Sequence, residues 1–322
     1  MQKRISDKRK YIISAVLVLL AVVMIFAARF IETIRPPDIA EEAVVRSNNS
    51  EDAVAAMGRD HRENFFTVLV VGIDAASNST DTIMLVSLDI DNSKMGIMSI
   101  PRDTITNTAR ANKKINSTYI ANHKDIYALY DDVEDITGVR PDKYALVTVD
   151  GFVELIDEIG GVEVDVPIDM FYEDPTQDLK IDIKKGYQKL DGYDAMGFMR
   201  YRKTYAEGDI KRIRVQHTFI NAFIDKMLKP STFVKIPEIA EIISRNVETD
   251  LTLGNQIWIG KKMLSMNLEQ DVTMVTLPGI ADYYDGLSYY FPIEKEVLEI
   301  VNESFNPYTT EISRLNLFKK QN

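Results

Sequence analysis

The sequence contains no cysteine, one tryptophan and three histidines among its 322 residues. Without cysteine the chain forms no disulfide, no zinc–thiolate site and no thiol nucleophile. The three histidines, His61, His123 and His217, leave little room for a histidine-based metal site. The motifs GxxxxGK[ST], GxSxG and HExxH are also missing, which argues against P-loop nucleotide, serine-hydrolase and zinc-protease chemistry. Thiol chemistry is therefore excluded, and ATP-dependent, serine-hydrolase and zinc-protease chemistry lose support.

Basic residues are fewer than acidic ones, 38 against 49, so the formal net charge is −11. An acidic chain is a poor candidate for broad nucleic-acid binding, which needs many cationic contacts. Against this background, residues 199–216 (MRYRKTYAEGDIKRIRVQ) concentrate six basic residues around one predicted turn between two helices: Arg200, Arg202, Lys203, Lys211, Arg212 and Arg214. Arginine offers a planar donor fork that fits phosphate. Any one of them could be solvated or paired with a surface acid, but the cluster predicts an anionic ligand.

Near the N-terminus, Tyr11–Ala28 is free of charge and follows a basic segment. Eighteen helical residues span about 27 Å, close to the hydrocarbon thickness of a bilayer. A signal peptide is the competing interpretation, but its apolar core is shorter, about 7–15 residues. The positive-inside rule then places the N-terminus in the cytoplasm and everything after Arg29 outside the cell. We therefore predict a cytoplasmic tail (1–10), a single transmembrane anchor (11–30) and an extracellular stalk (31–63).

From residue 64 onward, short apolar runs alternate with helical periodicity, which predicts one α/β domain with a mixed β-sheet covered by helices over residues 64–310. A C-terminal tail is predicted at 311–322. Strands are predicted at residues 65–74, 82–90, 94–100, 143–149, 162–166, 179–183 and 272–277. Helices are predicted at 126–136, 150–159 with Asp150 as cap, 209–227, 234–246, 256–266 and 293–305.

Two carboxylates, Asp74 and Asp81, stand at the end of the first strand and the start of the second. If these strands form a hairpin, both lie at one sheet edge, where carboxylates without imidazole suit Mg²⁺. The alternative is that Asp81 caps a turn and Asp74 is solvated. Arg102 and Asp103 follow the third strand and should reach the same edge, where Arg102 could bind phosphate and Asp103 could act as orienter or base. An ordinary salt bridge between them is the simpler interpretation.

Several segments together resemble the signature blocks of the LytR-CpsA-Psr family, in family order over roughly half of the chain. These are SIPRDT (Ser99–Thr104), KIN (Lys114–Asn116), GGVEVDVP (Gly160–Pro167), KGYQKLDGYDAMGFMRYRKT (Lys185–Thr204) and GDIKRIRVQ (Gly208–Gln216). The resemblance implies an extracellular phosphotransferase that moves teichoic acid, capsular or related glycopolymers from a polyprenyl-pyrophosphate carrier to peptidoglycan, with Mg²⁺ as cofactor. No nucleic acid is implied as a partner.

The resemblance also implies roles for individual residues. Asp74 and Asp81 would hold the metal, and Arg102, Arg200, Arg202 and Arg212 would be catalytic. To these we add Asp103, from its place after the third strand, as the candidate base for the acceptor hydroxyl. The pyrophosphate would be bound by Arg102, Lys114, Arg200, Arg202, Arg212, Arg214 and Gln216. The family's frequent Arg-Ser-Asp-Thr reads Ser-Thr-Asp-Thr at residues 79–82, and its frequent Gln-Gln pair reads Gln216-His217.

A prenyl tunnel is implied too, but the sequence leaves open whether Met84, Met95, Met98 and Met199 line it or belong to the core. Two other functions use the same residues: a pyrophosphatase that hydrolyses the lipid carrier, and a non-catalytic envelope regulator that binds lipid intermediates.

Overall fold

The structure, a computed structural model, describes residues 33–37, 60–74, 79–174, 179–201, 209–263 and 266–320. Within those ranges no helix is both long enough and apolar enough to cross a bilayer. The predicted cytoplasmic tail, the predicted anchor at 11–30 and most of the predicted stalk lie outside them.

The strands are β1 (Phe65–Asp74), β2 (Ser79–Asp89), β3 (Lys94–Ser99), β4 (Lys143–Thr148), β5 (Val162–Val166), β6 (Met170–Asp174), β7 (Leu179–Ile183), β8 (Gly186–Leu190), β9 (Val247–Thr249), β10 (Val272–Thr276), β11 (Gly279–Tyr284) and β12 (Leu287–Pro292). The helices are α1 (Thr118–Ala121), α2 (Ile126–Thr137), α3 (Val149–Glu158), α4 (Gly192–Arg200), α5 (Asp209–Met227), α6 (Pro230–Phe233), α7 (Ile236–Asn246), α8 (Leu253–Met263), α9 (Leu268–Asp271) and α10 (Glu294–Ser304). A short 3₁₀ helix covers Ile115–Ser117.

The central sheet has six strands within the described residues, in the order β10-β3-β2-β1-β4-β9. Strands β1, β2 and β3 form an antiparallel meander, while β1 pairs with β4 and β3 with β10 in parallel. The predicted mixed sheet is therefore confirmed. The meander matters for function because it brings the end of β1, the start of β2 and the end of β3 to one edge.

A hydrophobic core lies between this sheet and two helices. Leu69, Leu85 and Met98 are fully buried in it. Helix α2 contributes its predicted apolar face, starts at the cap Asp125, whose carboxylate accepts a hydrogen bond from the Tyr127 amide (3.0 Å), and ends at Gly138 with φ +72°. A left-handed residue at this position is a common helix stop that glycine adopts without strain. Helix α10 contributes further buried residues to the same core.

A second core is built by α3, α4, α5 and the two-stranded ladders β5–β8 and β6–β7. Glycine allows the close approach of α3 and α4 here: a Cβ on Gly192 would lie 2.3 Å from the Val153 carbonyl oxygen. Helix α4 is capped by Asp191, whose carboxylate accepts a hydrogen bond from the Asp194 amide (2.9 Å). This core therefore fixes the direction in which α4 points its C-terminal arginine.

Several local predictions were wrong. Asp150 does not cap α3; the Thr148 hydroxyl does, accepting from the Gly151 amide (3.1 Å). The remaining predicted helices exist with ends shifted by up to three residues. Strands β6, β8, β9 and the β11–β12 hairpin were not predicted, because they are short and interrupted by charged or polar residues.

The domain also extends past the predicted boundaries. Ile312, in the predicted C-terminal tail, is 1% exposed in the first core, and Leu315 and Leu317 pack against that core. On the N-terminal side, Arg62 lies in the predicted stalk but pairs with Asp89 (2.5 Å) and donates its amide to the Pro307 carbonyl (2.8 Å). Both segments pack as parts of the folded domain.

The chain divides into two compact units, of which the smaller comprises the described residues 33–37 and 251–263. Within it, Asn255 donates to the carbonyls of Arg35 (3.0 Å) and Pro36 (3.1 Å). A Cβ on Gly254 would lie 1.7 Å from the Thr33 carbonyl oxygen, so the two segments touch backbone to backbone. Five residues of the predicted stalk are thus held by helix α8.

Candidate active site

Asp81 reaches the sheet edge through a β-bulge. In the β1–β2 ladder Gly72 faces Thr82, yet the next residue, Ile73, faces Thr80, so Asp81 is the extra residue of β2. Bulges re-aim a side chain out of the regular alternation and are frequent beside active sites. The irregular start of β2 therefore serves to present this carboxylate.

Arg102 meets Asp81 at that edge, as the meander predicts. Its Nη1 lies 3.0 Å from Asp81 Oδ1, and the two side chains are 25% and 26% exposed. The Nε–H of Arg102 is buried and has no hydrogen-bond partner among the described residues; Asp103 Oδ2 is 4.0 Å away. A buried donor without an acceptor is costly, about 1–3 kcal/mol. An unsatisfied guanidinium donor at a cleft is what an anionic ligand would satisfy.

The loop after β3 is held rigidly. Thr104 is fully buried and donates its amide (2.9 Å) and hydroxyl (2.6 Å) to the Pro101 carbonyl. The KIN block adds two contacts: the Asn116 amide donates to the Arg102 carbonyl (3.2 Å), and the Asn116 carbonyl accepts from the Thr80 hydroxyl (3.0 Å). The SIPRDT and KIN blocks therefore fix the backbone on either side of the Asp81–Arg102 pair.

Asp103 and Lys114 form a second ion pair in the same loop, with Lys114 Nζ 2.9 Å from Asp103 Oδ1. The ammonium also lies 5.7 Å from the centroid of the Tyr289 ring. The predicted roles of Asp103 as base and Lys114 as pyrophosphate ligand stay predictions. The geometry adds that each neutralises the other.

Helices α4 and α5 supply the opposite wall. Gln216 donates to the Met199 carbonyl at the C-terminal end of α4 (2.9 Å), which ties the two helices together. Arg200 follows directly, half-buried, with its Nη1 3.8 Å from Met196 Sδ. Arg212 lies one turn before Gln216 on α5.

A shallow cleft opens between these elements. Asp81, Arg102, Ser99 and Gln216 give it a polar side, and the remaining lining is mostly apolar: Thr82, Ile83, Met84, Ile100, Pro101, Met199 and Ile220. Two of the four methionines left open by the sequence, Met84 and Met199, line the cleft. The other two, Met95 and Met98, are 4% and 0% exposed and belong to the core.

Some predicted site residues lie outside the described part of the chain. Arg202 falls between residues 201 and 209, and the side chains of Asp74, Arg212 and Arg214 are likewise not described. Their backbone places Asp74 at the end of β1, opposite Ser79, and Arg212 and Arg214 in the first turns of α5.

One contact at the cleft was not predicted. His217 Nε2 lies 3.0 Å from the Ser99 hydroxyl, which joins α5 to the last residue of β3. Burial lowers the pKa of His217 below its ordinary value, so the ring is neutral near pH 7. The sequence showed His217 only as a departure from the Gln-Gln pair, and the two residues lie 118 positions apart.

The fit of the site to a divalent cation can be judged from its donors. Within the described ranges no three acidic or histidine side chains gather into a metal-binding group. Mg²⁺, however, commonly takes only one or two protein carboxylates and completes its shell with water and phosphate oxygens. Asp81 provides one such carboxylate beside the cleft. The donor set therefore fits a cation that binds together with a phosphorylated ligand.

Fold and cleft together define a mixed-sheet α/β protein with an acid–arginine pair, Asp81 and Arg102, at the sheet edge and Gln216 of α5 on the other side of the cleft. The chain belongs to the LytR_cpsA_psr family, whose model matches residues 37–306. This confirms the resemblance drawn from the signature blocks.

Known relatives agree with this assignment. Polyisoprenyl-teichoic acid–peptidoglycan teichoic acid transferase TagV of Bacillus subtilis is 32% identical over 304 residues, covering 91% of this chain and 76% of TagV. A crystal structure of B. subtilis TagV superposes with a TM-score of 0.63 at 31% identity, over 74% of this chain and 95% of that one. Regulatory protein MsrR of Staphylococcus aureus is 32% identical over 227 residues, 68% of this chain and 66% of MsrR.

Proposed function

We propose that this protein is a phosphotransferase that attaches a teichoic-acid-like, capsular or related glycopolymer to peptidoglycan, taking it from a polyprenyl-pyrophosphate carrier. The observation that carries the proposal is the Asp81–Arg102 ion pair in the lining of the cleft, in which the buried Arg102 Nε–H has no hydrogen-bond partner among the described residues. Family membership and the similarity to TagV support the same reaction class.

In this reaction a sugar hydroxyl of the acceptor attacks the phosphorus that bears the glycopolymer. A new P–O bond forms, the bond to the second phosphate breaks, and polyprenyl phosphate leaves with the electron pair. Negative charge therefore grows on the pyrophosphate oxygens. Fixed cationic donors stabilise that charge without reorganising, and phosphoryl transfer depends chiefly on such positioning and electrostatics.

Each residue of the site has a part in this scheme. Arg102 donates its Nε–H to the pyrophosphate, while its Nη1 keeps the ion pair with Asp81. Arg200, Arg202, Arg212, Arg214 and Gln216 complete the anion site from α4, α5 and the segment between them. Asp103 accepts the proton of the attacking hydroxyl, with Lys114 holding its carboxylate in place.

We propose Mg²⁺ as the cofactor, bound by Asp81 and Asp74 together with the pyrophosphate. When bound, the ion would supply positive charge against the oxygens of the leaving group. The test is the Mg²⁺ concentration that transfer requires. Because D81N removes one carboxylate ligand, it should bind Mg²⁺ more weakly and need a higher concentration of the ion. D89N is the matched control, since Asp89 is also paired with an arginine, Arg62, but lies outside the cleft lining.

We also propose the predicted localisation: a membrane anchor at 11–30 with the catalytic domain, 64–310, outside the cell. The basic N-terminal segment followed by an uncharged run of bilayer length supports this topology. Protease added to intact cells should cleave the domain while leaving an epitope on residues 1–10 untouched. Protection of both ends would contradict it.

The deciding experiment mixes purified protein with lipid-linked donor, Mg²⁺ and peptidoglycan, and analyses the products. The proposal predicts glycopolymer joined to peptidoglycan by a phosphodiester, with R200A and D103N strongly impaired. Glycopolymer phosphate released into water would identify a pyrophosphatase instead. Donor binding without turnover would identify a non-catalytic regulator that binds lipid intermediates; the relative MsrR is named a regulatory protein.

A further inference from the structure

The smaller unit, residues 33–37 and 251–263, is here called the tether unit, and its charge is unlike that of the rest of the chain. Its helical segment, residues 251–263, holds Lys261 and Lys262 and no acidic residue, whereas Arg35 is flanked in the sequence by Glu32 and Asp38. The whole protein, in contrast, has 49 acidic against 38 basic residues. The excess of positive charge therefore lies on helix α8, where two adjacent lysines without a neighbouring acid suit an anionic surface.

The tether unit also carries the only tryptophan of the chain, Trp258. Its indole is half-buried, and Lys262 Nζ lies 5.4 Å from the ring centroid. Leu253, one turn before Ile257 on the same helix, is 50% exposed. Tryptophan, exposed aliphatic residues and lysines on one helix are the composition of segments that lie in the interfacial layer of a membrane.

Chain connectivity brings this unit close to the bilayer. The uncharged run ends at Ala28, and Thr33, whose carbonyl touches α8 at Gly254, follows five residues later. Five residues span at most about 18 Å when fully extended. The headgroup layer adds about 5–8 Å to each side of the hydrocarbon, and the attraction of an anionic surface acts over a Debye length of about 8–10 Å. Helix α8 cannot leave the neighbourhood of the membrane without breaking its contacts with residues 33–36.

We propose that the tether unit docks on the outer membrane surface, with Lys261 and Lys262 on anionic phospholipid headgroups and Trp258 in the headgroup layer. This inference rests on the anchor included in the proposed function, but not on the transfer reaction. In this arrangement the residues that follow the anchor hold helix α8 at the membrane surface and do not act as a flexible spacer.

Because Trp258 is the single tryptophan, the full-length protein carries its own probe. The protein is reconstituted in phosphatidylcholine vesicles with or without phosphatidylglycerol, and Trp258 fluorescence is quenched either by headgroup-level nitroxide lipid or by iodide in the water. The proposal predicts strong lipid quenching and shielding from iodide with phosphatidylglycerol present. In K261Q/K262Q the ratio of docked to undocked protein should fall roughly 25-fold, at about fivefold per lysine.

K295Q/K319Q is the matched control, because it removes two exposed lysines from outside the tether unit and should leave the quenching unchanged. Equal iodide access with and without phosphatidylglycerol, or lipid quenching in K261Q/K262Q that matches the unaltered protein, would overturn the proposal. Flotation with the vesicles tests the anchor separately, and product analysis tests the transfer reaction, so a failure of either is distinguishable from a failure of the docking.

Discussion

Replacing Arg102 by lysine should impair catalysis without lowering stability. Lysine keeps the positive charge and can still reach Asp81, but it has no counterpart of the Nε–H and no planar fork. Within the described part of the chain that buried Nε–H has no hydrogen-bond partner, Asp103 Oδ2 being 4.0 Å away, and the Asp81 ion pair is one-quarter exposed. Arg102 is therefore a residue whose full donor set is satisfied only when the ligand is bound.

The magnitudes follow from this geometry. An ion pair as exposed as Arg102–Asp81 contributes about 1 kcal/mol or less to folding. Removal of an unsatisfied buried donor offsets that loss, since such a donor costs about 1–3 kcal/mol. The free energy of unfolding of R102K should thus be unchanged or slightly higher. Loss of one fixed donor to a developing oxyanion costs about 100- to 1,000-fold in rate, so transfer should fall by that factor.

The assay pairs urea unfolding with the rate of donor transfer to peptidoglycan, and R140K is the control. Arg140 bonds Asp131 and Glu134 (2.8 Å each), is 12% exposed and does not line the cleft. R140K should therefore lose stability and keep its transfer rate, the opposite pattern. Transfer by R102K within threefold of the unaltered protein, or a stability loss equal to that of R140K, would refute the reasoning.

Three further predictions concern pH and packing. Because burial lowers the pKa of His217, the unfolded chain binds a proton at this residue more readily than the folded protein does, so the free energy of unfolding should fall as pH drops below about 6.5. Urea titrations should show a smaller decline for H217Q. The control H123Q, on an exposed turn, should leave the decline unchanged. G192A places a Cβ 2.3 Å from the Val153 carbonyl oxygen and should lower the free energy of unfolding by about 1–3 kcal/mol, whereas G260A, with open space around it, should not. I312A should cost about 2–5 kcal/mol, measured by the same unfolding assay, because Ile312 is core; a cost below about 0.5 kcal/mol would show that the C-terminal segment is a tail.

The central strands were predictable because their apolar runs are long and bounded by clear turns. Strands β1, β2 and β3 each follow this pattern, and hairpin geometry alone then placed Asp81 beside Arg102. Strands such as β8 (GYQKL) were missed because a five-residue strand with a glycine and two adjacent polar residues shows no clear alternation of apolar and polar positions. Local sequence patterns were therefore sufficient to predict the strands that position Asp81 and Arg102.

Features that depend on strand register or on contacts between distant residues could not be predicted from the sequence. The bulge that frees Asp81 exists only as a mismatch between β1 and β2, and no spacing within either strand shows it. The contact between His217 and Ser99 joins residues that only the finished fold brings together. The cap of α3 was assigned to Asp150 because aspartate is a strong capping residue, yet Thr148, two residues earlier, occupies the extended position that a cap requires.

The most direct test of the central claim is a crystal structure of the protein with a polyprenyl-pyrophosphate-linked donor. The account predicts the pyrophosphate in the cleft lined by Asp81, Arg102 and Gln216, with the Arg102 Nε within about 3.2 Å of a phosphate oxygen and Mg²⁺ on Asp81. A pyrophosphate bound elsewhere, with the Arg102 Nε–H still lacking an acceptor, would contradict it.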